Sequence, residues 1–219
     1  MSMPGLLSSR DRILSSAKEL FAKNGYENTS TVAIARQAGT SESQLMKHFG
    51  SKQGLLFAII DQGWTAVLHR AYALSSVPVR SRQCLIDVLE SYVIELEQDP
   101  AMKTLVVTES RRSRRESSGP SPAEGSQQFG SLIESLLRDL KNQGTLRTEL
   151  NVTATRAALV GMIEGLLFEE VLSSNNNRQA LYGSDEIRRV LETFVFGLTS
   201  EPITSEQNDQ QAPSWTHAD

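Results

Sequence analysis

The sequence predicts an all-α protein, a small N-terminal three-helix unit followed by a larger helical one. Three observations carry this. Apolar residues recur three and four positions apart through nearly every segment, the period of an amphipathic helix. No run alternates apolar and polar residues as a half-buried strand does. Ser, Asn, Gly and Pro punctuate the periodic segments at the points where helices start and stop. The expected division of the 219 residues is 1–50, 51–200 and a polar, proline-bearing tail over 201–219, too poor in apolar side chains to fold.

The first helix lies within residues 10–30, where Ile13, Ala17, Leu20 and Phe21 share one face and Asn24-Gly25 ends the run. The next is expected over Val32–Ala38. Ser30 or Thr31 caps it, because a hydroxyl accepts from the orphan amides of the first turn. Val32, Ile34, Ala35 and Ala38 form its apolar side, and Gly39 suits a stop at positive φ. Ser41 and Gln44 have the spacing of a capping box for a third helix. Leu45 and Phe49, four apart, face inward on it, and Glu42, Ser43, Gln44, Lys47 and His48 remain outside. A long helix over 51–76 follows, capped by Ser51 and closed before Pro78. Helices over 81–97 and 101–115 are parted by Asp99-Pro100, and residues 116–126 read as a loop. The last three helices are expected over 127–142, 152–173 and 184–199.

Residues 30–52 therefore read as two short helices joined by a tight turn, a helix-turn-helix that fits the major groove of B-DNA. The outward side chains suit that partner. Gln44 can pair bidentately with an adenine edge, Ser43 can bond several bases, and Glu42 can accept from a cytosine amino group although it repels phosphate. Lys47, His48 and Lys52 can hold phosphates, and Ser30 and Thr31 sit where helix amides favour an anion. The bland alternative is a helix pair of the same shape that touches no DNA.

The spacing A-x-x-L-F-x-x-x-G-Y, then I-A-x-x-A-G, then L-x-x-H-F-x-x-K-x-x-L, over about residues 9–60, closely resembles the N-terminal domain of the tetracycline-repressor (TetR) family. That resemblance implies phosphate contacts from Ser30, Thr31, His48 and Lys52, and base contacts from Glu42, Ser43 and Gln44. It implies a homodimer on double-stranded operator DNA, with a second domain for ligand binding and dimerisation. One position departs: the family usually has tyrosine where this chain has Met46, which fills space but cannot donate that hydroxyl's bond.

Composition limits the alternatives. Residues 1–60 hold 7 Lys/Arg against 4 Asp/Glu, a net +3, and the remaining residues hold 15 against 22, a net −7. The positive end is the end that needs phosphate attraction. The lone Cys84 allows no intrachain disulfide and reads as a small core residue rather than a redox sensor. No signal peptide or membrane span is expected, which points to the cytoplasm. His48, His69 and His217 lie in unrelated places, and no metal spacing, phosphate loop or nucleophile motif is present, so neither a cofactor nor an enzyme is expected.

The final two helices carry more apolar residues than one core face needs: Leu159, Met162, Ile163, Gly165 and Leu166 on one, Val190, Phe194, Val195 and Leu198 on the other. They read either as a buried pair within one subunit or as half of a four-helix dimer interface. Gly161 and Gly165 would admit a close helix there. Arg111, Arg112, Arg114 and Arg115 cluster at a helix end, as cations that offset the dipole or as an anionic-ligand or nucleic-acid contact. Trp64, His69, Tyr72, Met102, Phe129 and Phe168 are candidate liners of a pocket for a small apolar or aromatic effector, against the plainer reading of core residues. The expected function is a DNA-binding repressor released by that effector; the alternative is a DNA-binding protein of the same fold regulated by a protein partner.

Overall fold

The structure is a computed structural model, and it describes residues 8–113, 123–175 and 182–199. These form nine α-helices: α1 (Ser9–Asn24), α2 (Thr31–Gln37), α3 (Glu42–Phe49), α4 (Lys52–Ser75), α5 (Arg82–Glu97), α6 (Pro100–Ser113), α7 (Ala123–Asn142), α8 (Val152–Asn175) and α9 (Ser184–Leu198). Their starts follow from side-chain capping. Ser8, Ser30, Ser41, Ser51 and Ser81 each accept a backbone amide at the head of α1 to α5. Asp99 and Asn151 do the same for α6 and α8, at 3.0 and 2.9 Å. Pro100 occupies the first turn of α6, where its missing N–H costs no helix bond. The only β pairing among the described residues is the isolated bridge Leu146–Thr199, which pins the α7–α8 loop to the end of α9.

α4 organises the packing. It lies against α1 and α3 at one end and against α5, α6 and α7 along the rest. Leu56, Ile60, Trp64, Val67 and Ala71 of its inner face are all buried. The Trp64 indole stacks on Tyr92 at 5.1 Å between centroids and tilts against Phe129 at 6.0 Å, while Tyr92 and Phe129 meet at 5.4 Å. Such aromatic pairs add about 0.5–1.5 kcal/mol each beyond the area they bury. Cys84 lies in this core beside the Leu74 carbonyl (Sγ to O, 3.6 Å), and burial pushes its thiol pKa up, as befits a packing residue.

Three expectations change here. α7 begins at Ala123, so residues 123–126 of the expected loop are helical. Gly125 explains why: a Cβ there would stand 2.3 Å from the Trp64 Cβ, so this glycine turn is held by close packing on the indole rather than by propensity. The candidate pocket residues also separate. Trp64, Met102 and Phe129 are buried and Phe168 is half-buried, but His69 and Tyr72 lie on the outer face of α4, Tyr72 46% exposed. Around α4, His69 is offset from the Trp64–Val67 direction by about half a helical turn and Tyr72 by about a third, so neither shares the inner face. On the last two helices, Leu159, Ile163 and Val195 point into the subunit's own core. Met162, Gly165, Leu166, Val190 and Leu198 are half-buried, and Phe194 is 54% exposed. Arg114, Arg115, the side chains of Arg111 and Arg112, residues 116–122 and the tail 201–219 lie outside the described residues.

α1 also packs on α6, where Lys18 pairs with Asp99. Burial pushes the Asp99 carboxyl up, but the Lys18 ammonium and the amides of Met102 and Ala101 outweigh it and hold the pKa below its ordinary value. A depressed carboxyl contributes stability above the unfolded pKa of about 3.9 and loses it as pH falls through the lower folded value. The stability difference between the wild type and Asp99→Asn, which keeps the cap, is therefore expected to be constant above about pH 5 and to shrink below about pH 4. Denaturant titrations across that range check it. Gly125→Ala is expected to cost about 1–3 kcal/mol by overpacking, read as a lower denaturation midpoint at unchanged slope.

Candidate nucleic-acid interface

The three N-terminal helices pack through Ile13, Ala17, Phe21, Ile34 and Leu45, and polar side chains reaching backbone carbonyls fasten them further. The buried Thr29 hydroxyl donates to Gly25 O at 2.8 Å, with Leu20 O at 3.2 Å, and so closes the α1–α2 loop. Arg12 Nε donates to Ala38 O at 3.0 Å, tying α1 to the end of α2. Gly39 turns the chain between α2 and α3 with φ of 61° and nothing within 4 Å of its Cβ direction, so backbone conformation rather than space calls for glycine. Leu45 anchors α3 fully buried, and Arg10 lies over the Phe49 ring, 5.4 Å from its centroid.

With α3 so anchored, Glu42, Ser43, Gln44, Met46, Lys47 and His48 are exposed on one short helix. Ser41 caps it, its hydroxyl accepting from Gln44 N at 3.2 Å. Ser30 likewise caps α2, accepting from Ala33 N at 3.1 Å, and stays exposed. The Thr31 hydroxyl donates to the Glu42 carboxylate, joining the start of α2 to the start of α3. Two residues assigned separate DNA contacts thus hold one another, which fixes the angle between the helices before any partner arrives.

Two side chains stand elsewhere than expected. Lys52 does not project outward: its ammonium donates to Tyr26 O at 2.9 Å and Thr29 O at 3.1 Å, with Glu27 O at 3.5 Å, and lies 4.3 Å from the Tyr26 ring centroid. A cation at the N-terminus of α4 opposes the helix dipole, and these carbonyls offset that. Lys52 is therefore a strap from α4 to the α1–α2 loop rather than a free phosphate donor. Val32 is not on the packed side of α2; it is 50% exposed, while Ile34, Ala35 and Ala38 make the inner face. Reading Val32 as inward placed it a third of a turn from where α1 meets α2.

Away from this surface, an apolar groove of about 430 Å³ runs between α8 and α9, with Ala154, Ala158, Met162, Phe194 and Leu198 among its lining. The sequence reading missed Ala154 and Ala158, because a small side chain leaves no mark in apolar periodicity. Among the described residues there is no cluster of ligating side chains that could hold a metal ion. No described helix is long and apolar enough to cross a membrane.

Residues 13–59 match the model of "Bacterial regulatory proteins, tetR family". Over 159 residues, 72% of this chain and 79% of its relative, the sequence is 26% identical to the HTH-type transcriptional regulator UidR of Escherichia coli K12. Among solved structures, the TetR family regulator PfmR of Thermus thermophilus superposes with a TM-score of 0.68 at 20% identity, over 90% of this chain and all of that one. The regulator FadR of Bacillus subtilis, in complex with stearoyl-CoA, superposes with a TM-score of 0.69 at 16% identity, over 84% and 96% of the two chains.

Substitutions separate the roles. Gln44→Ala is expected to narrow the gap between specific and scrambled DNA by about 1–3 kcal/mol with little change on scrambled DNA. Lys47→Ala should weaken both equally and lower the salt slope by about one. Lys52→Met should leave that slope unchanged and cost about 1–3 kcal/mol of folding stability; a slope reduced by one would return Lys52 to the phosphates. Fluorescence anisotropy at several salt concentrations, with parallel thermal melts, reads all three.

Proposed function

Because the chain belongs to the TetR family of DNA-binding transcriptional regulators, we propose that it is a homodimeric repressor released from a near-palindromic operator by a small apolar or aromatic ligand. One observation carries the ligand-controlled part. Only Gly50 and Ser51 separate the recognition helix α3 from α4, and α4 continues into the aromatic core at Trp64. A ligand that displaced Trp64 or Met102 would move α4, and with it the spacing of two recognition helices set about 34–36 Å apart by a twofold axis. It would do so only through unequal affinity for the two arrangements. The FadR of Bacillus subtilis, which shares the fold, is in complex with stearoyl-CoA, so an acyl chain is a reasonable first probe.

Dimerisation draws support from the outer faces of α8 and α9. Phe194 and Ala158 are exposed with Met162 and Leu198 half-exposed beside them, and Leu172 is exposed further along α8. A Cβ built on Gly161 or Gly165 meets no described atom within 4 Å, which leaves room for a helix of a second chain to approach closely. In this reading residues 1–50 bind DNA and 51–200 bind ligand and partner, with Ser30, Thr31, Lys47 and His48 on phosphates and Glu42, Ser43 and Gln44 at base edges.

The tightness of the interior favours a second reading, control by a protein partner instead of a ligand. A Cβ on Gly63 would lie 2.6 Å from the Met102 sulfur, and Gly125 is as closely set against Trp64.

Anisotropy on the DNA flanking the gene, against scrambled DNA at matched salt, tests the regulator. Addition of acyl-CoA and a panel of apolar compounds tests the control. Weakened operator binding with at least one compound is expected; none in a broad panel would move the reading to a protein partner. Phe194→Glu is expected to convert dimer to monomer in sedimentation and to weaken operator binding at least tenfold, since a lone recognition helix loses the second half-site. A variant that stays dimeric would refute this interface.

A further inference from the structure

Two exposed apolar side chains on the helix-turn-helix have no part in the contacts assigned so far. Val32 is 50% and Met46 43% exposed, and they are the large apolar side chains left in solvent within residues 8–51. Both belong to one corner. Met46 lies one turn beyond Glu42 on the same face of α3. Glu42 in turn is bonded to Thr31, and Val32 is the next residue of α2. Ser43 of the same helix faces solvent between this flank and the opposite one, where Gln44 is exposed.

The chemistry of that corner narrows what it can meet. Glu42 offers acceptors only and repels both phosphate and the O6/N7 acceptors of guanine. An apolar side chain gains nothing from phosphate. What the major groove offers to an apolar group is the C5-methyl of thymine, presented on the base-pair edge. From this, we infer that Val32 and Met46 are specificity-determining residues that read thymine methyl groups. Met46 thus supplies an apolar base contact, which shifts the chain's preference towards A·T pairs at the positions it faces. The inference rests on the proposed base-reading role of α3.

The test starts by selecting bound duplexes from a random-sequence pool with the full-length protein. Each thymine of the selected duplex is then replaced by deoxyuridine, which removes the methyl and nothing else. At one or two thymines of each half-site, affinity is expected to fall about fourfold, the cost of exposing one buried methyl. Val32→Ala and Met46→Ala should each abolish the fall at one position and leave the others. The salt slope should stay unchanged in both, because an apolar contact releases no counterion. Both side chains are exposed, so thermal unfolding should match the wild type. Tolerance of uracil at every position, a uracil penalty that persists in both variants, or a reduced salt slope in Met46→Ala would each overturn the methyl reading. A pool that yields no consensus would overturn it together with the base-reading roles of Glu42, Ser43 and Gln44. A consensus indifferent to uracil would remove the methyl reading alone.

Discussion

The stack of Trp64 on Tyr92 is the contact on which the rest of the structure depends. It joins α4 to α5 at the centre of the core, and Phe129 closes it from α7. Around it the packing allows little adjustment: Gly125 sits against the indole and Gly63 against Met102 because no larger residue fits. The direction of α4 is thereby set at its middle. Its first turn lies next to α3, so the exposed face of that helix inherits its orientation from an apolar contact well inside the larger helical unit.

The N-terminal helices are held in a different way. They are short, and α2 buries only Ile34, Ala35 and Ala38. Ile13, Ala17, Phe21, Ile34 and Leu45 are buried and continuous with the main core through Leu55, Leu56 and Ile59 of α4. To this the unit adds donors placed on backbone carbonyls: Arg12 on Ala38, Thr29 on Gly25, and Lys52 on Tyr26 and Thr29. Hydrogen bonds from charged groups contribute about 1.5–3 kcal/mol where neutral ones give about 1, so arginine and lysine are well used here. Lys52 also crosses from α4 to the α1–α2 loop, and Lys18 reaches Asp99 at the head of α6. The head is thus tied to the core by ion–dipole and ion-pair contacts as well as by the buried apolar residues that α1 and α3 share with α4.

At the far end, α8 and α9 leave Phe194, Leu172 and a line of small residues in solvent. Isolated apolar side chains on a surface are ordinary, but Phe194 also lines an apolar groove with Met162 and Leu198. Gly161 and Gly165 of α8 have no described atom within 4 Å of their Cβ direction.

By itself the sequence determined the helices and the motif. Helical periodicity, the serine caps and the Gly and Asn stops are local properties, written in consecutive residues, so α1 to α6, α8 and α9 were legible to within a residue or two at their described ends. The family motif was legible for the same reason. Only the tertiary structure decided direction. On α8 and α9 apolar residues surround the helix, so periodicity could not tell Leu159, Ile163 and Val195, which face the core, from Met162 and Phe194, which face out. Lys52 looked like any lysine near a phosphate until the carbonyls of the α1–α2 loop, 23 to 26 residues earlier, were brought to it. The start of α7 was hidden because Gly125 reads as a helix breaker and becomes a helical residue only against Trp64, 61 positions away in the chain. In each case the deciding partner is remote in sequence, and which remote groups meet is a property of packing that no local pattern encodes.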